Sequence, residues 1–284
     1  MRFLLCGCFH GKVPTNFFQV IKKENPDLII CTGDFGDGKF LRKWEFKHEK
    51  EILKLILSGD EEKVEKFYNT KENLKYVKKD LETAKRVLNK LKVIKNKFYF
   101  TYGNHDGSSK KLLNSLSKKN FKFIPKGKIN FSGYTLIFHG GYRGTSGKPY
   151  LVDWKTASRK HKNAVKERIF EINYELNKLF NKKQKNVIFI THDPPYGTKL
   201  DILKKNFDSK NRYKHIGDDI YTKFDKKFQP LVHICSHMHE NQGYDKIGKT
   251  LVINSGALLE GKFALLELEK DKIKRLKFYK NKKE

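Results

Sequence analysis

Apolar residues along this chain follow two rhythms. Short unbroken runs predict buried strands at Arg2–Gly7, Asp27–Cys31, Lys97–Thr101, Phe121–Ile124, Lys128–Phe131 and Tyr134–Phe138. Further runs predict strands at Asn186–Thr191, Leu231–Cys235, Thr250–Asn254, Lys262–Leu268 and Lys272–Phe278. Longer stretches place apolar residues at helical spacing. They predict helices at Pro14–Glu24 (with Pro14 near the first turn), Lys110–Leu116, residues 155–181 and residues 217–228. Residues 40–96 are rich in Lys and Glu and lack Pro. Leu41, Trp44, Ile52, Leu55, Ile56, Leu74, Val77, Leu81, Val87, Leu88 and Leu91 recur there at helical spacing. Two or three helices are predicted, broken near Ser58-Gly59-Asp60. They are expected to cover a core, with a lid or a dimer face as the alternatives. The pattern is strand–loop–helix early and strand-rich late. It predicts an α/β fold, a mixed sandwich with helices on its outer faces. Residues 1–284 are expected to form one domain with a helical insertion at about 40–96.

Composition narrows the class. The 284 residues are 38% apolar and 13% aromatic, enough for a sizeable core. No apolar run approaches the roughly 20 residues of a membrane span, and the start lacks a secretion signal's apolar core. Four cysteines are too sparse for a disulfide scaffold. A cytoplasmic protein with no membrane partner is expected. The formal charge is +29, a footprint of nucleic-acid or membrane-surface binders. Two features weaken that inference. Of 61 basic residues only 8 are Arg, the residue suited to bidentate phosphate recognition, and only 5 residues are Ala. That balance matches an A/T-rich codon bias. The charge is also dispersed, as in residues 107–131 with seven Lys and no acid.

The candidate chemistry sits where strands end. Cys8-Phe9-His10-Gly11 follows the first strand, Gly33-Asp34-Phe35-Gly36-Asp37-Gly38 the second and Gly103-Asn104-His105-Asp106 the third. Later come Thr191-His192-Asp193-Pro194-Pro195 and Ser236-His237-Met238-His239. Sites of α/β sheets gather at the carboxyl ends of strands. One such histidine is ordinarily a surface or capping residue, but five loops with the same placement are expected to converge. Imidazole, carboxylate and amide oxygen together suit Mn, Fe, Zn or a similar divalent ion. Two ions about 3.5–4 Å apart can clamp the attacking and leaving oxygens of phosphoryl transfer, and one carboxylate, Asp34, can bridge them.

This ordered set resembles the calcineurin-like metallophosphoesterase superfamily, with motifs D-x-H, G-D-x-x-D, G-N-H-[DE], H and G-H-x-H. The likeness runs from Arg2 to about Leu268. The runs Thr191–Asp201 and Gly243–Thr250 followed by Val252–Gly256 look like a microbial phosphoesterase subset. The resemblance implies a four-layer αββα sandwich and two divalent ions. One ion would be held by His10, Asp34 and His239, the other by Asp34, Asn104, His192 and His237. A metal-bound hydroxide would attack a phosphate ester. His105 would stabilise charge or protonate the leaving group, Asp106 would orient His105, and Asp37 would support its loop.

The sequence departs from the family at Cys8, where a ligating Asp is usual. A Cys8 thiolate would favour Zn or Fe, and a small buried thiol is the competing reading. RNA lariat debranching enzymes also place Cys before x-His-Gly. A metal-dependent phosphoesterase, more a diesterase than a monoesterase, is expected to take phosphate-ester substrates such as nucleic acids or nucleotides. The alternative is a basic nucleic-acid-binding protein with a degenerate metal site. His139 and Arg143 are candidate substrate contacts, with Tyr142 and Ser146 in the same glycine-rich loop. His48, His161, His215 and His233 are expected to be structural or on the surface, and Cys235 to lie in the core.

Overall fold

The computed structural model describes residues 1–141, 157–203 and 214–281. In chain order they form β1 (Arg2–Cys6), α1 (Thr15–Glu24), β2 (Leu28–Cys31), α2 (Lys39–Lys47), α3 (Glu49–Ser58), α4 (Glu61–Tyr68), α5 (Lys71–Leu91) and β3 (Phe98–Phe100). Then come α6 (Lys110–Ser115), β4 (Phe121–Phe123), β5 (Lys126–Phe131), β6 (Tyr134–His139), α7 (Arg159–Leu179) and β7 (Val187–Thr191). The chain continues through α8 (Asp219–Phe228), β8 (Val232–Cys235), β9 (Gly243–Ile247), β10 (Thr250–Asn254), β11 (Phe263–Glu269) and β12 (Lys272–Tyr279).

The strands form two mixed sheets, ordered β12-β11-β1-β2-β3-β4 and β5-β6-β7-β8-β10-β9. The central strands are parallel and apolar on both faces, because both faces of each sheet are covered. Along β1, Phe3 and Leu5 point between the sheets, towards Ile190 of β7 and Ile234 of β8. Leu4 and Cys6 point outward, under Phe17 of α1 and Leu88 of α5. On the far side, Ile137 and Phe189 pack beneath Leu176 of α7 and Phe224 of α8. The layers are therefore helix, sheet, sheet, helix, as the sequence predicts.

Register brings the strand ends level. Cys6 pairs with Cys31 and Cys31 with Phe100 in the first sheet. Ile190 pairs with Ile234 and Cys235 with Asn254 in the second. The loops after β1, β2, β3, β7 and β8 thus leave the sandwich at one end. They are joined across the sheets: Thr32 Oγ1 donates to Ser236 Oγ at 2.7 Å, and the Ser236 N–H donates to the His192 carbonyl at 3.0 Å.

Between β2 and β3 the chain makes four helices where two or three were expected. The break at Gly59 occurs as predicted, and Asp60 caps α4 by accepting from the Lys63 N–H. A second cap, Thr70, accepts from Asn73 N–H and starts α5. His48 ends α2 and precedes α3. Trp44 is buried against Phe67 and Tyr68 of this segment. α5 supports the loop after β2: Asp80 accepts from the Phe40 and Leu41 N–H groups and Thr83 Oγ1 from that of Asp37. Strand β9 was not foreseen, because Gly243–Ile247 is a short polar edge strand whose pairing with β10 supplies its order.

His233 is buried, as its structural assignment requires. Its Nδ1 lies 2.7 Å from Asp225 Oδ2 on α8, and its Nε2 lies 2.8 Å from Thr191 Oγ1 on β7. The Thr191 hydroxyl donates to the Asp193 carbonyl at 2.7 Å, so it accepts from His233 Nε2–H. One imidazole therefore ties α8, β8 and the loop after β7. His233→Ala leaves Asp225 buried without this partner and is expected to destabilise the fold by about 3 kcal/mol. The double variant His233→Leu/Asp225→Leu should recover much of that loss. Urea unfolding midpoints measure both, and a single-variant loss below about 1 kcal/mol would refute the account.

Candidate metal centre

The expected residues converge. His10 Nε2 and His239 Nε2 lie 3.1 Å apart, and His10 Nε2 is 3.6 Å from Asp34 Oδ2. On the other side, Asp34 Oδ2 is 3.1 Å from His192 Nε2. Asn104 Oδ1 is 3.0 Å from His192 Nε2 and 3.2 Å from His237 Nδ1. Cys8 falls between the two groups, its sulfur within 4.8 Å of donor atoms of His10 and His239 and also of Asp34 and His192.

Local backbone explains the aim of these side chains. Cys8, His10, Asp34 and His237 all have left-handed φ, at 54°, 42°, 61° and 63°. Such conformations are strained for non-glycine residues and persist where surrounding bonds impose them. The Cys8 and Phe9 N–H groups donate to the Gly33 and Asp34 carbonyls at 2.9 and 2.8 Å. At Gly103, a Cβ would overlap Asp34 Oδ1, so that loop can close on the carboxylate only with glycine there. The outer ring nitrogens are committed to carbonyls: His10 Nδ1 to Asp37 at 3.2 Å and His192 Nδ1 to Thr32 at 3.0 Å. With Nδ1 held by a carbonyl, each ring turns its Nε2 inward, the atom that would offer its lone pair to a cation once free of a proton.

Asp106 differs from expectation. Rather than orienting the His105 ring, its buried carboxylate accepts from the backbone N–H groups of Asp34, Phe35, Gly36 and Gly103, at 2.6, 2.9, 3.4 and 3.0 Å. It ties the loop after β3 to the loop after β2. His105 is positioned instead by its own N–H, which donates to Asp34 Oδ1 at 2.8 Å. Its ring packs edge-on to His10, with centroids 5.0 Å apart. Asp193 was missed as a site residue. Its carboxylate groups with His192 and His237, and its only sequence signal was adjacency to His192.

The electrostatics suit a cation. Burial opposes charge on Asp34, but His192, His105 and His10 hold its carboxyl well below the usual range. Burial likewise opposes charge on His192, but Asp34 outweighs it and raises the ring to about 9. Burial pushes His105 down to about 4 and His239 to about 3, and it lowers His237 as well. Burial and the Asp34 charge push Asp106 up to about 7. The same two causes raise the Cys8 thiol well above its ordinary value, so a thiolate there requires a neighbouring cation. Converging imidazoles, the buried carboxylates of Asp34 and Asp193, an amide oxygen and a thiol fit divalent metal ions.

Of the expected substrate contacts, Arg143, with Tyr142 and Ser146, lies outside the described residues. His139 is buried at the end of β6, its Nδ1 2.9 Å from the Tyr221 hydroxyl and its Nε2 3.2 Å from Glu175 Oε2. No described helix is long and apolar enough to cross a membrane.

Comparison with known proteins places this geometry in context. The family described as metallophosphoesterase, calcineurin superfamily, matches residues 9–278. An uncharacterized protein of Methanocaldococcus jannaschii, MJ1162, is 37% identical over 82 residues, which are 28% of this chain and 35% of that protein. The aligned stretch thus spans about a third of that relative's length. One crystal structure, 20% identical, covers 97% of this chain and 98% of its own with a TM-score of 0.61. A dimetal phosphatase from Danio rerio, 12% identical, covers 99% and 96% with a TM-score of 0.53. The protein TT1561 of Thermus thermophilus, 14% identical, covers 98% of both chains with a TM-score of 0.51. At these identities the structural likeness concerns the fold.

Glu175 offers a pH test of the His139 contact. The His139 hydrogen bond, with Lys126, lowers its carboxyl to about 2 from 4.5. A depressed folded pKa stabilises above the unfolded value, and that stability fades as pH falls from about 4.5 towards 2. The side chain is 37% exposed, so screening limits the effect to roughly 1 kcal/mol or less. Urea unfolding should show wild type above Glu175→Gln at pH 7 and the gap closing near pH 2. A gap that does not change with pH refutes the contact.

Proposed function

Because the chain belongs to the calcineurin superfamily of metallophosphoesterases, we propose that it hydrolyses phosphodiesters at a centre of two divalent ions. His10, Asp34 and His239 would hold one ion, and Asp34, Asn104, His192 and His237 the other. The observation that carries this reading is the position of Asp34 Oδ2, 3.6 Å from His10 Nε2 and 3.1 Å from His192 Nε2. A carboxylate flanked by imidazoles on both sides supports a bridging role. Bound divalent ions would activate water and neutralise phosphoryl charge. Asp34 sets the charge of the centre, and the Nδ1 bonds of His10 and His192 aim its donors. His105, neutral at pH 7 and with its ring free of hydrogen bonds among the described residues, is available to the phosphate or the leaving oxygen.

Diesters are favoured because the basic surface attracts polyanions, which points to nucleic acids or nucleotides. The alternative, a nucleic-acid-binding protein with a decayed site, predicts that several of the ligands are lost. The donors of Cys8, His10, Asp34, Asn104, His192, His237 and His239 instead lie together. We place the protein in the cytoplasm.

His105→Ala is expected to keep metal content near wild type while lowering turnover of a chromogenic diester roughly 100-fold or more. Unchanged turnover would remove His105 from the chemistry. Cys8→Asp is expected to raise metal occupancy and shift preference towards Mn, read by elemental analysis and metal-dependent rates. If neither moves, Cys8 takes no part in binding. A panel of diester, monoester, cyclic nucleotides, single-stranded RNA and DNA, and a 2′–5′ branch mimic tests the reaction itself. No hydrolysis with any divalent metal would overturn the assignment.

A further inference from the structure

The loop that carries Asp34 runs directly into α2, and α2 lies against the centre. Gly38, the residue before α2, sits so close to the His105 ring that a Cβ there would overlap Nδ1. The helix is held from behind, by Asp80 at its first turn and by buried Trp44. The Arg42 N–H donates to the Gly38 carbonyl at 3.0 Å, so Arg42 stands one turn beyond Gly38. The His105 ring abuts Gly38, so Arg42 lies one turn of helix beyond that contact. Arg42 is exposed, and among the described residues its guanidinium forms no hydrogen bond or ion pair. Its charge reaches the centre, where it adds to burial in lowering both His105 and His239. Glu45 and Asp80 also feel that charge, yet neither pairs with it.

An exposed arginine on a pinned helix, facing a metal-type centre and lacking an acidic partner, is arranged to meet an anion from solution. The fork of the guanidinium suits a phosphate bidentately. We propose that Arg42 is a substrate-binding residue that pairs with a second phosphate of the substrate, beside the phosphoryl group at the histidine cluster. The preferred esters are then those carrying a further phosphate near the scissile one, the class of nucleotides and oligonucleotides. This rests on the reading of the cluster as a phosphodiester-cleaving centre.

The test uses the metal-loaded protein and thymidine dinucleotides with and without a terminal phosphate at either end. Wild type should prefer a phosphorylated form. Arg42→Gln should reduce that preference roughly tenfold, chiefly through KM, and Arg42→Lys should restore part of it. Lys43→Gln, the same charge change at the adjacent exposed residue, should leave the preference at its wild-type value. A preference that is absent in wild type, unchanged in Arg42→Gln or equally reduced in Lys43→Gln overturns the proposal while the enzyme reading stands. If wild type cleaves none of the dinucleotides with any divalent metal, the diesterase reading falls and Arg42 falls with it.

Discussion

A single carboxylate, Asp34, is buried to 1% exposure where its own loop meets three others. Taking such a charge out of water costs several kcal/mol unless partners replace the solvent. Here one oxygen accepts the His105 N–H and the other faces the Nε2 atoms of His192 and His10. The partners come from the loops after β1, β3 and β7. None can retreat without stranding the carboxylate. The left-handed backbone at Asp34 adds strain, of order 1–3 kcal/mol, and is held by Asp106 through the N–H groups around it. The sandwich serves this arrangement by ending its parallel strands level with one another.

The charge pattern follows from the same constraint. Burial keeps His105, His237 and His239 neutral, while the Asp34 charge raises His192. Neutral imidazoles around a buried anion are the state in which nitrogen lone pairs accept a cation. Membership of a metal-dependent phosphoesterase family agrees with that chemistry. The dispersed positive surface then has a use in drawing in phosphate esters.

Much of the site was legible because its residues follow apolar runs. A strand end is visible as the point where hydrophobicity stops, and glycine, histidine and aspartate just beyond it mark a loop with a task. Histidines away from those points, such as His233, were rightly set aside as structural. Asp106 was less legible: a carboxylate beside a histidine suggests a pair, whereas the fold turns it towards four backbone donors. Asp193 and strand β9 were missed for different reasons. Asp193 acquires its place from His237, distant in sequence, whereas β9 is ordered by pairing with the adjacent β10 and carries no apolar run of its own.

The sequence by itself determined the alternation of strands and helices, the class of sandwich and the donor types at strand ends, since burial period and local turn chemistry act over a few residues. Only the tertiary structure decided which nitrogen of each histidine faces inward, what Asp106 holds, and that the start of α2 abuts His105. Those outcomes depend on contacts such as Asp37 with His10, Thr32 with His192, and Gly38 with His105. Their partners lie tens to more than a hundred residues apart, and no local pattern encodes a distance that only the packed sheets set.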